Sequence, residues 1–248
     1  MRSLGKYLIF IYNLFVRRET FKSYVKLTFD EAIKVGYDSL FIVLIVSVFL
    51  GAVTTLQTAY NLISPLIPDP VISLVVRDMT ILELSPTIIA IVYAGKVGSN
   101  IAGELGTMRI TEQIDALEVM GINAISYLVL PKIIASVLMF PLLVILSAFF
   151  AIYSGYLTAV VSGVISGTDY LTGIQMDFNE FGVSFAMIKA VVYGYIVASI
   201  SAYKGFFTSG GALEVGQSST NAVTSSCIGI LAADFSLAYL LAPFLTPS

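Results

Sequence analysis

Several charged side chains lie within long apolar segments of this 248-residue chain, and three of them are the best suited to chemistry. They are Glu83, Lys189 and Asp234. A charged group at membrane depth costs about 2.5 kcal/mol or more by insertion scales, so it usually faces a partner or a cavity. Glu83 and Lys189 therefore either form a structural ion pair or line a polar cavity that accepts a zwitterionic or anionic headgroup. For Asp234 we expect a hydrogen bond between helices.

The sequence lacks the residues that most other catalytic chemistry requires. The sequence contains no His and one Cys, Cys227. This excludes disulfides within the chain, Cys/His zinc sites and His-based catalytic triads. The phosphate-binding pattern G-x-x-x-x-G-K-S/T is absent, because Val97 follows Gly95 and Lys96. We therefore expect no catalytic residue, metal, cofactor or nucleic acid, and any use of ATP requires a separate protein.

The overall composition is that of an integral membrane protein. Hydrophobic residues make up 57% of the chain and charged residues only 12%, whereas soluble domains carry about 25% charged residues. We expect an all-α membrane fold, and the length fits a single domain over residues 1–248.

The first 36 residues are basic and predict an interfacial helix. Apolar side chains at Leu4, Leu8, Ile11 and Phe15 recur at helical spacing, and a basic helix with one apolar face lies in the membrane interface. A signal peptide is the alternative, but no small-residue cleavage site follows. The region holds seven Lys and Arg residues, which place the N-terminus in the cytoplasm: Arg2, Lys6, Arg17, Arg18, Lys22, Lys26 and Lys34.

Apolar segments long enough to span a bilayer predict five crossings. The prolines between Ser64 and Pro70 predict an external turn after the first crossing, and a polar loop over Gly205–Asn221 precedes the last. Five crossings place the C-terminus outside, where Arg77 is the one base in the outer segments, as the positive-inside rule requires. The crossings lie near residues 38–61, 79–104, 130–157, 181–203 and 222–245.

Small residues spaced four apart in the second crossing predict close helix packing. Lipid gives helices no hydrophobic reason to associate, so close backbone approach over small residues supplies the contact. The packing partner is either another helix of this chain or a second copy. The residues are Ala90, Ala94, Gly98 and Ala102.

Residues 107–121 predict a short amphipathic helix at the cytoplasmic surface. Thr111 is a plausible N-cap and Gly121 a plausible stop, and the segment is too short and too charged to cross. Periodicity alone is compatible with a solvated linker helix. Ile110, Ile114, Leu117 and Met120 line one side, and Arg109, Glu112, Asp115 and Glu118 lie largely off it.

The sequence resembles a known family, the MlaE-type permeases. The resemblance is strongest over Gly95–Ile122, which reads GKVGSNIAGELGTMRITEQIDALEVMGI. Residues 83–86 read ELSP and match the family's E-L-G-P, with Ser85 in place of Gly. The run GGALEVGQSSTNAV at Gly210–Val223 is similar to the family's cytoplasmic loop. Lys189 lies where the family has a Lys in its fourth crossing.

The resemblance implies a fold and a function. Family members are membrane subunits of ABC transporters that move phospholipids between the inner and outer membranes of Gram-negative bacteria, maintaining outer-membrane lipid asymmetry. It implies a homodimer with an N-terminal interfacial helix and five crossings per subunit, a separate ATPase that binds ATP and Mg, and a periplasmic MCE-domain partner. It also implies that Glu83, Lys189 and Tyr60 line a lipid cavity. The cytoplasmic helix would couple to the ATPase through Arg109, Glu112, Asp115, Leu117, Glu118 and Met120.

Two other classes of function remain open. An ion-coupled secondary carrier would use Glu83 and Lys189 without an ATPase; inverted repeats favour such carriers, and none is apparent in the sequence. A lipid-modifying membrane enzyme would need a positioned base, and the sequence shows no recognisable pair of nucleophile and base.

Overall fold

A computed structural model describes residues 2–14, 21–62 and 68–241, and all regular elements in these ranges are helical. The all-α fold class is therefore confirmed. Two short segments, Thr80–Ile88 and Ala94–Gly98, are π-helical. The α-helices are α1 (Arg2–Asn13), α2 (Phe21–Asn61), α3 (Pro70–Met79), α4 (Ile89–Tyr93), α5 (Ser99–Ile110), α6 (Gln113–Val119), α7 (Ala124–Ser162), α8 (Gly167–Gln175), α9 (Glu180–Phe206) and α10 (Ala212–Leu241).

Four of the described helices are long and apolar enough to cross a membrane: α2, α7, α9 and α10. They coincide with the crossings predicted near 38–61, 130–157, 181–203 and 222–245. The helices extend beyond those predictions, because a helix ends where its capping residues lie and not where the apolar run stops. Residues 242–245 lie outside the described part of the chain.

The remaining predicted crossing, 79–104, follows a path that is not one α-helix. Residues 70–110 are helical throughout, but the two π-helical segments divide them into pieces shorter than a bilayer requires. Pro86 lies in the first π-helical segment, where its missing N–H interrupts the α-helical hydrogen-bond pattern. A fifth crossing stays a prediction.

Three boundaries differ from the sequence prediction. α2 begins at Phe21, so residues 21–36 belong to this helix and not to a separate interfacial region. α8 lies between the crossings predicted near 130–157 and 181–203, where we predicted no helix, and the Asp169 N–H donates to Ser166 Oγ as an N-cap bond of 3.1 Å. α10 begins at Ala212, inside the predicted loop Gly205–Asn221.

Local capping explains the early start of α10. Gly210 has a φ of 120°, which favours glycine and turns the chain before the helix. The Gly211 N–H donates to the Glu214 carboxylate at 2.8 Å, so a side chain in the first turn satisfies a free backbone donor. A polar composition therefore does not prevent residues 212–221 from being helical.

The described chain contains two compact units, and the single domain expected for residues 1–248 stays a prediction. The first comprises Met1–Ser39, Ala90–Phe140 and Val191–Ala233. In it Ala90, Ala94, Gly98 and Ala102 are all buried. A Cβ added to Gly98 would lie 2.8 Å from Ser201 Oγ, and one added to Gly205 would lie 2.6 Å from the Ala102 carbonyl oxygen. Gly98 and Ala102 thus pack against α9 of the same chain.

In the same unit α1 packs on α9 through aromatic side chains. Phe10 is buried, and its ring centroid lies 5.6 Å from that of Tyr203. The Tyr7 hydroxyl donates to Ser199 Oγ at 2.7 Å, and burial raises the pKa of Tyr7 above its ordinary value. Leu8 is exposed, as expected for the face that we predict in the membrane interface.

The second unit comprises Leu40–Ile89, Pro141–Ala190 and Asp234–Ser248. α2 and α7 approach closely, and Ser47 Oγ donates to Ser147 Oγ at 2.8 Å. α3 is joined to the end of α8 by Arg77, a buried side chain that donates to the carbonyl oxygens of Ile174 and Met176 at 2.7 and 2.6 Å. Arg77 is therefore a structural residue.

Candidate functional site

Lys189 lies at the centre of a cluster of charged side chains in the second unit. Its Nζ atom lies 2.6 Å from Glu83 Oε2 and 2.6 Å from Asp234 Oδ1. Lys189 is supplied by α9, Glu83 by the first π-helical segment and Asp234 by α10. The structure thus brings together Glu83 and Lys189, and it adds Asp234 to the pair. We call these three residues the Lys189 cluster.

The backbone of the π-helical segment contributes to this cluster. In an α-helix the carbonyl of Leu82 would accept from the N–H of residue 86, but that residue is Pro86 and has no N–H. Lys189 Nζ donates to the Leu82 carbonyl oxygen at 3.2 Å. The ammonium group also lies 4.8 Å from the ring centroid of Phe185, a distance typical of a cation–π contact.

The Lys189 cluster is unbalanced in charge and open on one side. The Lys189 side chain is fully buried, the Asp234 side chain is 15% exposed and the Glu83 side chain is 49% exposed. With all three groups ionised the sum is −1. The exposed carboxylate of Glu83, which also accepts from Thr87 Oγ1 at 3.4 Å, is therefore available to a positively charged group.

A mostly apolar cavity shares Leu82 with this region. It has a volume of about 100 Å³, which is smaller than the usual range of small-molecule sites. Tyr60, expected beside Glu83 and Lys189, is exposed on α2 and does not line this cavity. Its role as a cavity residue stays a prediction. The lining residues are Asp78, Ile81, Leu82, Phe178, Asn179, Gly182 and Val183.

The amphipathic segment contains a shorter helix than the predicted 107–121. α5 extends to Ile110, and α6 covers only Gln113–Val119. The prediction of Thr111 as N-cap is wrong. Its Oγ1 atom donates back to the Thr107 carbonyl, and the cap position is held by Glu112 with a left-handed φ of 61°.

Gly121 is confirmed as the residue that ends this segment. Its φ is 81° and its N–H donates to the Glu118 carbonyl, while the Ile122 N–H donates to the Leu117 carbonyl. These are the two bonds of a Schellman motif, which glycine at this position favours.

The surface of α6 combines acidic and apolar side chains. Ile114 is buried, Leu117 is partly buried, and Glu112, Glu118 and Met120 are exposed. Arg109 at the end of α5 forms an ion pair with Asp115 of α6. Val119, which sequence analysis did not select, is the most exposed apolar side chain of the segment.

A second charged cluster lies in the first unit and was missed by sequence analysis. The buried ammonium group of Lys132 on α7 lies 2.9 Å from Glu31 Oε1 and 2.6 Å from Glu104 Oε2. Lys34 Nζ lies 3.5 Å from the same Glu31 atom. A signal was available, because Lys132 is the one charged residue in the sequence of α7. We call Glu31, Lys34, Glu104 and Lys132 the Lys132 cluster.

Among the described residues no group of three or more His, Cys, Asp or Glu side chains is arranged to hold a metal ion.

Four apolar helices long enough to span a bilayer, with charged side chains buried between helices, define a multi-pass helical membrane protein. Charged groups held within membrane segments are typical of proteins that provide a route for a solute.

Comparison with known proteins specifies the family. The Permease MlaE family matches residues 28–240. A probable ABC transporter permease protein of Rickettsia bellii is 35% identical over 234 residues, covering 94% of this chain and 90% of the relative. One from Synechocystis is 37% identical over 214 residues, covering 86% and 81%. The chloroplastic protein TRIGALACTOSYLDIACYLGLYCEROL 1 of Arabidopsis thaliana is 37% identical over 210 residues, covering 85% and 60%.

The chain belongs to the MlaE permease family. It is a membrane permease of the ABC transporter type, in which the transmembrane subunit is typically not the catalytic one.

Proposed function

We propose that this permease moves phospholipids between the inner and outer membranes of a bacterium, and so maintains the lipid asymmetry of the outer membrane. The observation that carries the proposal is the Lys189 cluster, in which a fully buried ammonium group lies between two carboxylates and one of these is half exposed. Such a site offers fixed charge to a headgroup within otherwise apolar helices. The name of the Arabidopsis relative, which refers to a diacylglycerol glycolipid, is compatible with a lipid substrate.

The charge of the cluster favours a zwitterionic headgroup over an anionic one. With all three groups ionised, two carboxylates and one ammonium group leave a net charge of −1, and Glu83 is the most exposed of the three. A headgroup amine can pair with Glu83 through a charge-assisted hydrogen bond. An anionic headgroup without an amine could not form this bond to Glu83 and would face the excess negative charge of the cluster.

The energy source in this proposal is a separate cytoplasmic ATPase that docks on α6. The sequence contains no phosphate-binding loop of its own. α6 exposes acidic side chains beside Val119 and Met120, and apolar side chains surrounded by charge are typical of interface centres. Arg109, Glu112, Asp115, Leu117, Glu118 and Met120 are the proposed coupling residues.

The homodimer implied by the family resemblance has an available surface on α10. Only 11% of the most apolar part of α10 is buried within the chain, compared with 28% for α2 and 50% for α9. We propose that a second copy covers α10. The proposal further includes an inner-membrane location, a cytoplasmic N-terminus, a periplasmic C-terminus and a periplasmic MCE-domain partner that exchanges lipid with the permease.

The test is isolation of the protein from native membranes followed by reconstitution. We expect an ABC ATPase to co-purify, lipid to be bound, and lipid transfer in proteoliposomes to require ATP. Glu83→Ala and Lys189→Ala should each lower the amount of lipid recovered without preventing assembly, whereas Lys26→Ala, at an exposed position of α2, should not. Normal lipid recovery in both cluster variants would indicate that the cluster is a structural ion pair and does not bind lipid.

The same reconstitution tests the second candidate, an ion-coupled carrier. The unbalanced charge of the Lys189 cluster also suits a site that binds a cation or a proton together with substrate. Lipid movement by the isolated permease under an imposed ion gradient, with no ATPase present, would contradict the ABC mechanism and support the carrier.

A further inference from the structure

The Lys132 cluster connects three helices of the first unit. α7 supplies Lys132, α2 supplies Glu31 and α5 supplies Glu104, with carboxylate oxygens 2.9 and 2.6 Å from the buried ammonium group. Two lysines and two glutamates sum to zero charge, in contrast to the Lys189 cluster. A balanced network whose members already pair with each other has no need of a ligand, so its role lies in what it connects.

The position of the cluster in the chain defines that connection. Glu104 and Lys132 are 28 residues apart in sequence, and α6 lies between them. Glu104 is on the helix that leads into α6, and Lys132 is on the helix that follows it. Their ion pair therefore closes the α5–α6–α7 segment, and Glu31 attaches the closed segment to α2.

α6 itself is connected to these three helices through α5. Arg109 at the end of α5 pairs with Asp115 of α6, so a displacement of α6 is passed to α5. From α5 it is passed to α2 and α7 through Glu104 and Lys132. Ion pairs with one buried partner hold a defined geometry, because separation of the charges would leave the buried ammonium group uncompensated.

We propose that Lys132 is a positioning residue that holds α6 against the spanning helices α2 and α7, so that movement of α6 moves both helices together. This inference rests on the proposed docking of an ATPase on α6. Lys132 contacts neither nucleotide nor lipid in this arrangement and acts through Glu104 and Glu31.

The most informative variant is Glu104→Gln. The Glu104 side chain is 41% exposed, so the neutral amide can be hydrated and the fold should survive. Removal of Lys132 would instead leave the partly buried Glu31 with only the more distant Lys34 as its cation. The matched control is Lys34→Met, which removes an exposed charge of the same cluster that lies at longer distances of 3.5 and 4.0 Å from the carboxylates.

The first readout is hydrogen exchange of residues 113–119 in the purified full-length chain, which requires neither ATPase nor lipid transfer. In Glu104→Gln we expect the amides of α6 to exchange about tenfold faster than in the unmodified protein, because local opening becomes easier when an anchor is lost. The amides of α9 and the Lys34→Met control should be unchanged. Unchanged exchange of α6 in Glu104→Gln would overturn the proposal.

The second readout is the amount of lipid moved per ATP hydrolysed by the reconstituted transport complex. We expect this ratio to fall about tenfold in Glu104→Gln while ATP hydrolysis continues, and Lys132→Arg to retain most of it. A proportional loss of ATP hydrolysis and lipid transfer, which leaves the ratio unchanged, would overturn the positioning role. A wild-type complex that moves no lipid would contradict the proposed function, whereas hydrogen exchange would still decide the anchoring of α6.

Discussion

The Nζ atom of Lys189 lies 3.2 Å from the carbonyl oxygen of Leu82, which accepts no α-helical hydrogen bond from residue 86 because that residue is a proline. The helix break at Pro86 thus provides a backbone acceptor to a buried ammonium group. Glu83, the next residue, provides a carboxylate to the same atom. The irregular backbone and the charged site are parts of one arrangement, which is common for π-helical segments at functional sites.

Replacement of Pro86 by alanine should separate stability from transport. Alanine restores an N–H that can donate to the Leu82 carbonyl and allows a regular α-helix. We therefore expect the free energy of unfolding, measured by thermal denaturation in detergent, to rise by about 1 kcal/mol. Lipid transfer should fall severalfold, because the carbonyl is drawn away from Lys189. Pro141→Ala in α7 is the control and should leave transfer unchanged. Equal transfer by Pro86→Ala and wild type would contradict a role for this carbonyl.

Glu83→Gln should change which headgroups the protein retains. The amide can still accept a hydrogen bond, but the charge that attracts an amine is gone. A hydrogen bond to a charged group contributes about 1.5–3 kcal/mol, so we expect at least about a tenfold loss of preference for zwitterionic over anionic phospholipid. Mass spectrometry of lipid bound after exposure to an equimolar mixture measures the ratio. An unchanged ratio would mean that Glu83 does not contact the headgroup.

Val119→Asp should weaken association with the ATPase. Val119 is 89% exposed at the end of α6, and a carboxylate there would be desolvated in an interface. We expect about a tenfold or greater loss of affinity, typical of substitution at an interface centre. Val161→Asp is a matched control, since Val161 is 87% exposed near the end of α7. Pull-down against increasing ATPase concentration provides the measurement, and equal behaviour of the two variants would argue against docking on α6.

The positions of the long helices could be predicted from the sequence because apolar length is a local property. The crossings near 130–157 and 181–203 both coincide with helices. The ion pairs could not all be predicted in this way, because each depends on which helices become neighbours. The ion pair of Asp234 and Lys189 depends on α10 lying beside α9 at this point. The partners of Lys132 lie on two helices that are distant from it in sequence.

The helix boundaries failed for a different reason. Capping by Glu214 and the left-handed conformation of Glu112 each depend on a single residue. The polar composition of residues 205–221 gives no indication of the cap at Glu214. A side chain that reaches back to a free N–H can begin a helix in a segment whose composition predicts a loop.

Arg77→Lys should destabilise the second unit although the charge is kept. The guanidinium group donates to two carbonyl oxygens and to Asp78 at the same time, and an ammonium group cannot reproduce that planar fork. We expect a loss of about 2 kcal/mol in the free energy of unfolding, measured by thermal denaturation in detergent. Arg109→Lys, in a more exposed ion pair, should cost less than about 1 kcal/mol. A larger effect at Arg109 would contradict this assignment of Arg77.

The single cysteine of the sequence allows a direct test of the α10 dimer surface. In a Cys227→Ser background, a cysteine introduced by Phe235→Cys on α10 should form an intersubunit disulfide under mild oxidation, because residues near a two-fold axis meet their own copies. Phe41→Cys on α2 is matched to it, since Phe235 and Phe41 are both 75% exposed in the isolated chain. Lipid covers an exposed phenylalanine as readily as a second protein does, so exposure alone predicts no difference between the two positions. Cross-linking at position 235 and not at 41 therefore requires a second copy on α10, whereas equal cross-linking at both would indicate random collision and exclude α10 as the interface.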